Sequence, residues 1–167
     1  GAISSYLEVI INGRATQCLL DSGSDTSIFP SQFIHPSWMK ETGNQVRAAN
    51  GTNIPVRGEA EVPIEVAGLR GTISAIISDH VPEPMIGYDW LRSIGAVIDF
   101  GGNRLILNGQ ACDLISRPST GWIKRVIVQT GNQGPKRGKC NFPTRVVYSR
   151  SRKSQRENTR ARIVEVK

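Results

Sequence analysis

Asp21 sits where an acid has the means to do chemistry. It ends an apolar run, Cys18-Leu19-Leu20, and leads into Ser22-Gly23-Ser24-Asp25-Thr26-Ser27 before Ile28-Phe29 resumes an apolar pattern. A carboxylate at the end of an apolar strand loses hydration unless nearby donors satisfy it, and Gly23 lets the backbone fold close enough to supply them. Acids held in such places usually serve as proton donors or acceptors with displaced pKa values. Asp-Ser-Gly has two blander readings. All three residues favour turns, so the triplet is common on surfaces. In an exposed, flexible segment it also reads as a phosphorylation-dependent degradation signal. The apolar flanks on both sides argue for burial instead.

The elements that must position this acid read as β-structure. Tyr6 to Ile11 and Ala15 to Leu20 are β-prone runs separated by Asn12-Gly13-Arg14, and Asn-Gly is a strong hairpin signal. The second strand delivers Asp21. From Ser31 to Lys40, with Pro30 and Pro36 nearby, no period is clear, which predicts an irregular loop with room for one short turn of helix. His35 lies there without a companion ligand and reads as structural or solvent-facing. A second hairpin is predicted from Gln45-Val46-Arg47-Ala48-Ala49 and Ile54-Pro55-Val56-Arg57-Gly58 around Asn50-Gly51-Thr52, with alternation continuing from Glu59 to Val66. Gly68-Leu69-Arg70-Gly71 predicts a turn and Thr72 to Ile77 a strand. After Pro82 and Pro84 comes Met85-Ile86-Gly87-Tyr88, and Asp89 to Ile94 suits a short helix ended by Gly95. Ala96 to Phe100 and Arg104 to Leu107 form a last hairpin. The pattern amounts to about seven or eight strands and one short helix, an all-β fold with closed or barrel-like sheets.

Asp21-Ser22-Gly23-Ser24-Asp25-Thr26 resembles the active-site loop of retropepsin-like aspartic proteases, a family built on Asp-(Thr or Ser)-Gly, a small residue, then Asp and Thr or Ser. Met85-Ile86-Gly87, with its glycine 66 residues after Asp21, is similar to that family's second motif, two apolar residues and a glycine before a short helix. The resemblance covers about residues 6 to 115 and implies an acid-protease half-barrel active as a homodimer. It makes Asp21 the catalytic acid or base. Ser22 would bond across the dimer axis, and Gly23 would supply the turn and a backbone contact to the catalytic pair. Asp25 would contact substrate backbone, with an ion pair as the alternative. Asn50, Gly51 and Thr52 would form the tip of a flap that closes over bound peptide. Ile86 and Gly87 would pack beside the catalytic loop. No metal or cofactor is implied.

The chemistry of that family needs two carboxylates sharing one proton, because two like charges about 3 Å apart do not both ionise cheaply. This chain carries one Asp-Ser-Gly, so the resemblance implies a C2 homodimer with one Asp21 from each copy. One departure stands out. Retroviral members commonly place Arg after the second glycine, where it pairs with the acid matching Asp25, but here Tyr88 and Asp89 follow Gly87. That ion pair is not carried over, and the change points toward retrotransposon and cellular relatives.

Charge divides the chain of 167 residues. Residues 1–116 hold 7 Lys or Arg against 12 Asp or Glu, and residues 117–167 hold 14 against 2, so −5 and +12 give the overall +7. The reading is a protease domain over 1–116 and a basic, largely disordered linker or tail over 117–167, with β-prone pieces at 123–128 and 163–166 that either dock or begin another domain. Nucleic-acid contact, if any, belongs to 117–167 alone, and a solvated polyprotein linker is the favoured reading. Three cysteines, Cys18, Cys112 and Cys140, lack the spacing of a zinc site or disulfide framework, which suits a reducing compartment. No run approaches a membrane span and no secretion signal opens the chain, so an intracellular setting, cytoplasm or virus-like particle, is expected. Met39 and Met85 are the only methionines, as in an internal piece of something longer. The functional expectation is an aspartic endopeptidase from the polyprotein of an LTR retrotransposon or endogenous retrovirus, cutting its own precursor. The alternative is a catalytically inactive peptide-binding or dimerisation module of the same fold with a basic nucleic-acid-binding tail.

Overall fold

The first hairpin joins β1 (Ile3–Ile11) to β2 (Arg14–Leu20). Asn12 and Gly13 both take positive φ, 53° and 78°, and Ile11 pairs with Arg14, so the connection is a two-residue turn whose twist matches the strands. The computed structural model describes residues 3–119 and the backbone of residues 126–129. The expectations of disorder and nucleic-acid contact over most of 117–167, Cys140 and the β-prone piece at 163–166 lie outside the described residues. After β3 (Ile28–Phe29) come two short 3-10 turns, Ser31–Phe33 and Pro36–Trp38, then β4 (Met39–Lys40). His35 is structural: its ring nitrogen accepts from the Ser37 N–H at 3.1 Å and caps the second turn.

The second hairpin pairs β5 (Gln45–Ala48) with β6 (Asn53–Ile54). Its return strand is shorter than the sequence pattern suggested, because Pro55 has no N–H to give the ladder. β7 (Gly58–Val66) and β8 (Leu69–Ile77) pair along their full nine residues. The turn between them is Ala67-Gly68, at φ 50° and 83°, and not 68–71 as expected. Leu69, Arg70 and Gly71 instead continue the ladder opposite Val66, Glu65 and Ile64. The alternating buried face of β7, Ala60, Val62, Ile64 and Val66, sets that register, since a slip of one residue would turn these side chains to water. There follow β9 (Met85–Ile86), α1 (Tyr88–Ser93), β10 (Val97–Asp99), β11 (Arg104–Leu107), β12 (Gln110–Asp113), β13 (Ile115–Pro118) and β14 (Val126–Gln129). The described residues thus hold fourteen strand segments where about seven or eight were expected. The surplus is the two-residue β3, β4 and β9, too short for periodicity to reveal, then β12, into which the positive φ values of Asn108-Gly109 turn the chain, and β13 and β14 beyond it.

The main sheet runs β13-β1-β2-β9-β3-β8-β7-β4, and a further pairing of β1 with β7 closes six of these strands into a barrel. Two of its joints are parallel, β2 with β9 and β3 with β8, which brings the strand before Asp21 beside the strand before Gly87. The principal core includes Leu7, Val9, Phe29, Ile73, Ile86 and Trp90, all essentially inaccessible. Each such side chain contributes about 1.5–3 kcal/mol by leaving water. A second cluster joins Val46, Ala48 and Ile54 of the hairpin to Leu19, Ile28 and Met85 of the barrel. The boundary placed after residue 116 falls inside β13, where Ser4 pairs with Arg117 and Ile3 with Pro118. The Arg117 guanidinium lies 3.6 Å from the centre of the buried Tyr6 ring, and the Tyr6 hydroxyl donates to Glu83 at 2.8 Å.

Candidate active site

β2 ends by delivering Asp21 into a turn tied at both sides. The Asp21 N–H donates to the Ile86 carbonyl at 2.9 Å, and the Ser24 N–H donates back to the Asp21 carbonyl at 3.0 Å. The Gly23 N–H reaches the Asp21 carboxylate at 3.0 Å. A Cβ on Gly23 would stand 3.3 Å from that same oxygen, so a larger residue would crowd the acid. Asp21 is half-buried, while Ser22 and Gly23 are exposed. Burial pushes the Asp21 carboxyl above its ordinary value, and the Gly23 N–H, which favours the ionised form, offsets this only in part.

The second motif grips this loop from behind. Gly87 approaches so closely that a Cβ would press into the Thr26 carbonyl group, 2.6 Å from its carbon, and stand 2.9 Å from the Ser24 oxygen. Its N–H donates to the Ser27 hydroxyl at 3.0 Å, and the Tyr88 N–H donates to the Ser24 carbonyl at 2.7 Å. Ser24 and Ser27 are wholly buried. The Asp89 carboxylate, in the first turn of α1, accepts from the Ser27 hydroxyl at 3.0 Å, from the Thr26 hydroxyl and Ser27 N–H at 3.3 Å, and from the Trp90 N–H at 2.7 Å. Asp89, one residue past the Tyr88 that stands where retroviral members carry Arg, therefore staples the Asp21 loop to the helix. Sequence reading did not single out Ser24, Thr26, Ser27 and Asp89 as a network. A run of hydroxyl residues between two apolar strands was the available signal, but its acceptor lies some sixty residues away.

Asn50, Gly51 and Thr52 form the exposed tip of the β5–β6 hairpin. Gly51 has φ 89° and donates to the Ala48 carbonyl at 2.9 Å, and the Thr52 N–H is taken by the Asn50 side chain at 3.0 Å. The base of the hairpin is anchored separately. The Ser78 hydroxyl donates to the Pro55 carbonyl at 2.6 Å, and Arg57 meets Asp79 at 2.8 Å. Ser31 donates to Asp79 from both its N–H and its hydroxyl, and these bonds with Arg57 hold the Asp79 carboxyl below its ordinary range. The structure thus gathers Asp21, Ser22, Gly23, Ile86 and Gly87 into one packed unit, with Asp25 half-buried on the same loop. The hairpin tip belongs to another sheet, ordered β14-β5-β6.

A closed barrel whose Asp-Ser-Gly loop is clasped by a glycine and a short helix defines an aspartic-protease class of fold. Residues 4–99, more than half of the chain, match the family described as retroviral aspartyl protease, and the chain belongs to that family. Among solved structures, it is similar to the retroviral protease-like domain of Ddi1 from Leishmania major, with TM-score 0.51 and 16% identity over 67% of this chain and 93% of that one. It also matches EIAV protease in complex with the inhibitor HBY-793, with TM-score 0.49 and 24% identity over 58% of this chain and 93% of that one. At this identity the first likeness is one of fold. Among the described residues, no helix is long and apolar enough to cross a membrane.

Proposed function

We propose that the chain is an aspartic endopeptidase whose catalytic pair consists of Asp21 from two copies. The observation that carries this reading is the half-buried Asp21, its carboxyl pushed toward the protonated form, on a loop locked from behind while Ser22 and Gly23 remain exposed beside it. In such a pair one carboxylate takes a proton from water, and the water oxygen attacks the scissile carbonyl carbon. The other, protonated, donates a hydrogen bond to the carbonyl oxygen. The tetrahedral species collapses as a proton reaches the amide nitrogen and the C–N bond breaks. Tyr88, half exposed and tied to Ser24, lies beside the same loop and suits a contact between copies where the retroviral arginine is missing. The tyrosine–aspartate departure and the basic segment beyond residue 117 favour a retrotransposon-type polyprotein as origin and substrate, handled inside the cell. Asn50, Gly51 and Thr52 would cover the bound peptide, and Asp25 would meet its backbone.

The test is incubation of the purified chain with a peptide library between about pH 4 and 7, beside Asp21→Asn. Cleavage by the wild type alone supports the reading. Equal turnover by both chains removes Asp21 from the chemistry, and silence from both would favour a peptide-binding module.

A further inference from the structure

The hairpin read as a flap is not a free ribbon. β14 pairs antiparallel with β5 along its whole length: Val126 with Ala48, Ile127 with Arg47, Val128 with Val46, and Gln129 with Gln45. β6 pairs with β5 as well, so β5 is the central strand of three. An isolated two-stranded hairpin is marginal in water, and this one has a return strand of only two residues, so a third strand adds much of its ladder. The bare edge of β5 would otherwise offer unpaired N–H and C=O groups to any extended polypeptide. The chain from Pro118, the end of β13, to Val126 spans eight Cα steps, a tether of at most about 29 Å. A strand so tethered meets the edge at an effective concentration on the order of millimolar, so even weak pairing keeps it seated. The Val-Ile-Val run also suits a strand.

We propose that Val126–Gln129 is an intramolecular strap that occupies the β5 edge, restrains the flap hairpin, and must leave before that edge serves another polypeptide. The strap rests on the proposed reading of this hairpin as the flap of a peptidase. The chain just beyond the barrel then holds its own enzyme in check, and displacing or cutting it releases activity.

Successive N–H groups of a strand point to opposite sides, so of Ile127→Pro and Val128→Pro, each made in the full chain, one removes a donor facing β5. Hydrogen exchange would be followed at residues 45–48 and at Gly51, with the amides of β1 and β8 as the check on folding, together with kcat/KM on a short peptide. At least one variant should speed exchange at 45–48 by about tenfold or more while β1 and β8 keep their protection, and the same variant should raise kcat/KM several-fold. Unchanged exchange at 45–48 in both variants would overturn the docked strap. Faster exchange with kcat/KM unchanged would overturn its restraining role. Faster exchange with no turnover in any chain supports the strap on the hairpin and overturns the peptidase reading instead.

Discussion

Asp21 is held at a cost that has a measurable sign. Its folded carboxyl sits above the ordinary value of 3.8, so the folded state keeps a proton that the unfolded chain has already released. Stability therefore falls as pH rises from the unfolded value through the raised folded one, and stays lower above it. Asp21→Asn removes that penalty. At concentrations that hold the chain monomeric, the variant should melt at a higher temperature than wild type near pH 7 and at a similar one near pH 3, while cleavage is abolished. A wild type that is the more stable near pH 7 would contradict burial as the dominant influence. Gly87 is demanding for a different reason, since its φ is ordinary and the obstacle is the backbone of Ser24 and Thr26. Neither carbonyl is the far end of a flexible side chain, so Gly87→Ala should cost about 3 kcal/mol in urea unfolding. A loss below about 0.5 kcal/mol would mean the loop yields freely.

At the scale of elements, the Asp21 loop and the β5–β6 hairpin are fastened by different means. The loop is held by buried hydroxyls on Asp89 and by the ladder between β2 and β9, where water does not compete. The hairpin base adds to the buried Ser78 hydroxyl an exposed ion pair, Arg57 with Asp79, whose attraction is screened. Asp79 titrates below its ordinary value in the folded chain, so its contribution is present above about pH 4 and is lost as pH falls through the folded value. Asp79→Asn should lower stability by less than about 1 kcal/mol near neutrality yet speed hydrogen exchange at Ser31, whose N–H donates to that carboxylate, and at Arg57, whose N–H goes to the Ile77 carbonyl but whose guanidinium loses its ion pair. Exchange unchanged at both amides would show that the apolar cluster of Val46, Ala48 and Ile54 holds the base unaided.

For the whole molecule, the main sheet extends, through β13, past the point where the composition changes. A chain ended after residue 116 loses the Arg117–Tyr6 contact and two pairs of the β1–β13 ladder, so it should unfold at lower urea than one ended after residue 119. Equal midpoints would place the working end of the sheet before Arg117. If each copy brings one acid, specific activity should fall on dilution in step with the dimer fraction seen by sedimentation. Without the retroviral ion pair, dissociation is expected on the order of micromolar, about −8 kcal/mol. Full activity from a species sedimenting as a monomer would end the shared-site mechanism.

What the sequence determined by itself was local or carried by short motifs. Asn12-Gly13 set a two-residue hairpin because both residues tolerate positive φ. The apolar run into Asp21-Ser22-Gly23, and Met85-Ile86-Gly87 before a short helix, marked the two halves of the candidate site, since burial and turn chemistry leave their signature in adjacent residues. Other features depended on partners far along the chain. That Ala67 and not Leu69 turns the chain followed from the buried face of β7. That Gly87 admits no Cβ followed from Ser24 and Thr26, and that Asp89 has a structural task followed from Ser27. Arg117 looked like the first residue of a basic tail because composition counts charges without placing them. Only the closed sheet decided that its guanidinium covers Tyr6 and that the chain beyond it returns to pair with β5, since strand pairing depends on which edges the fold leaves open.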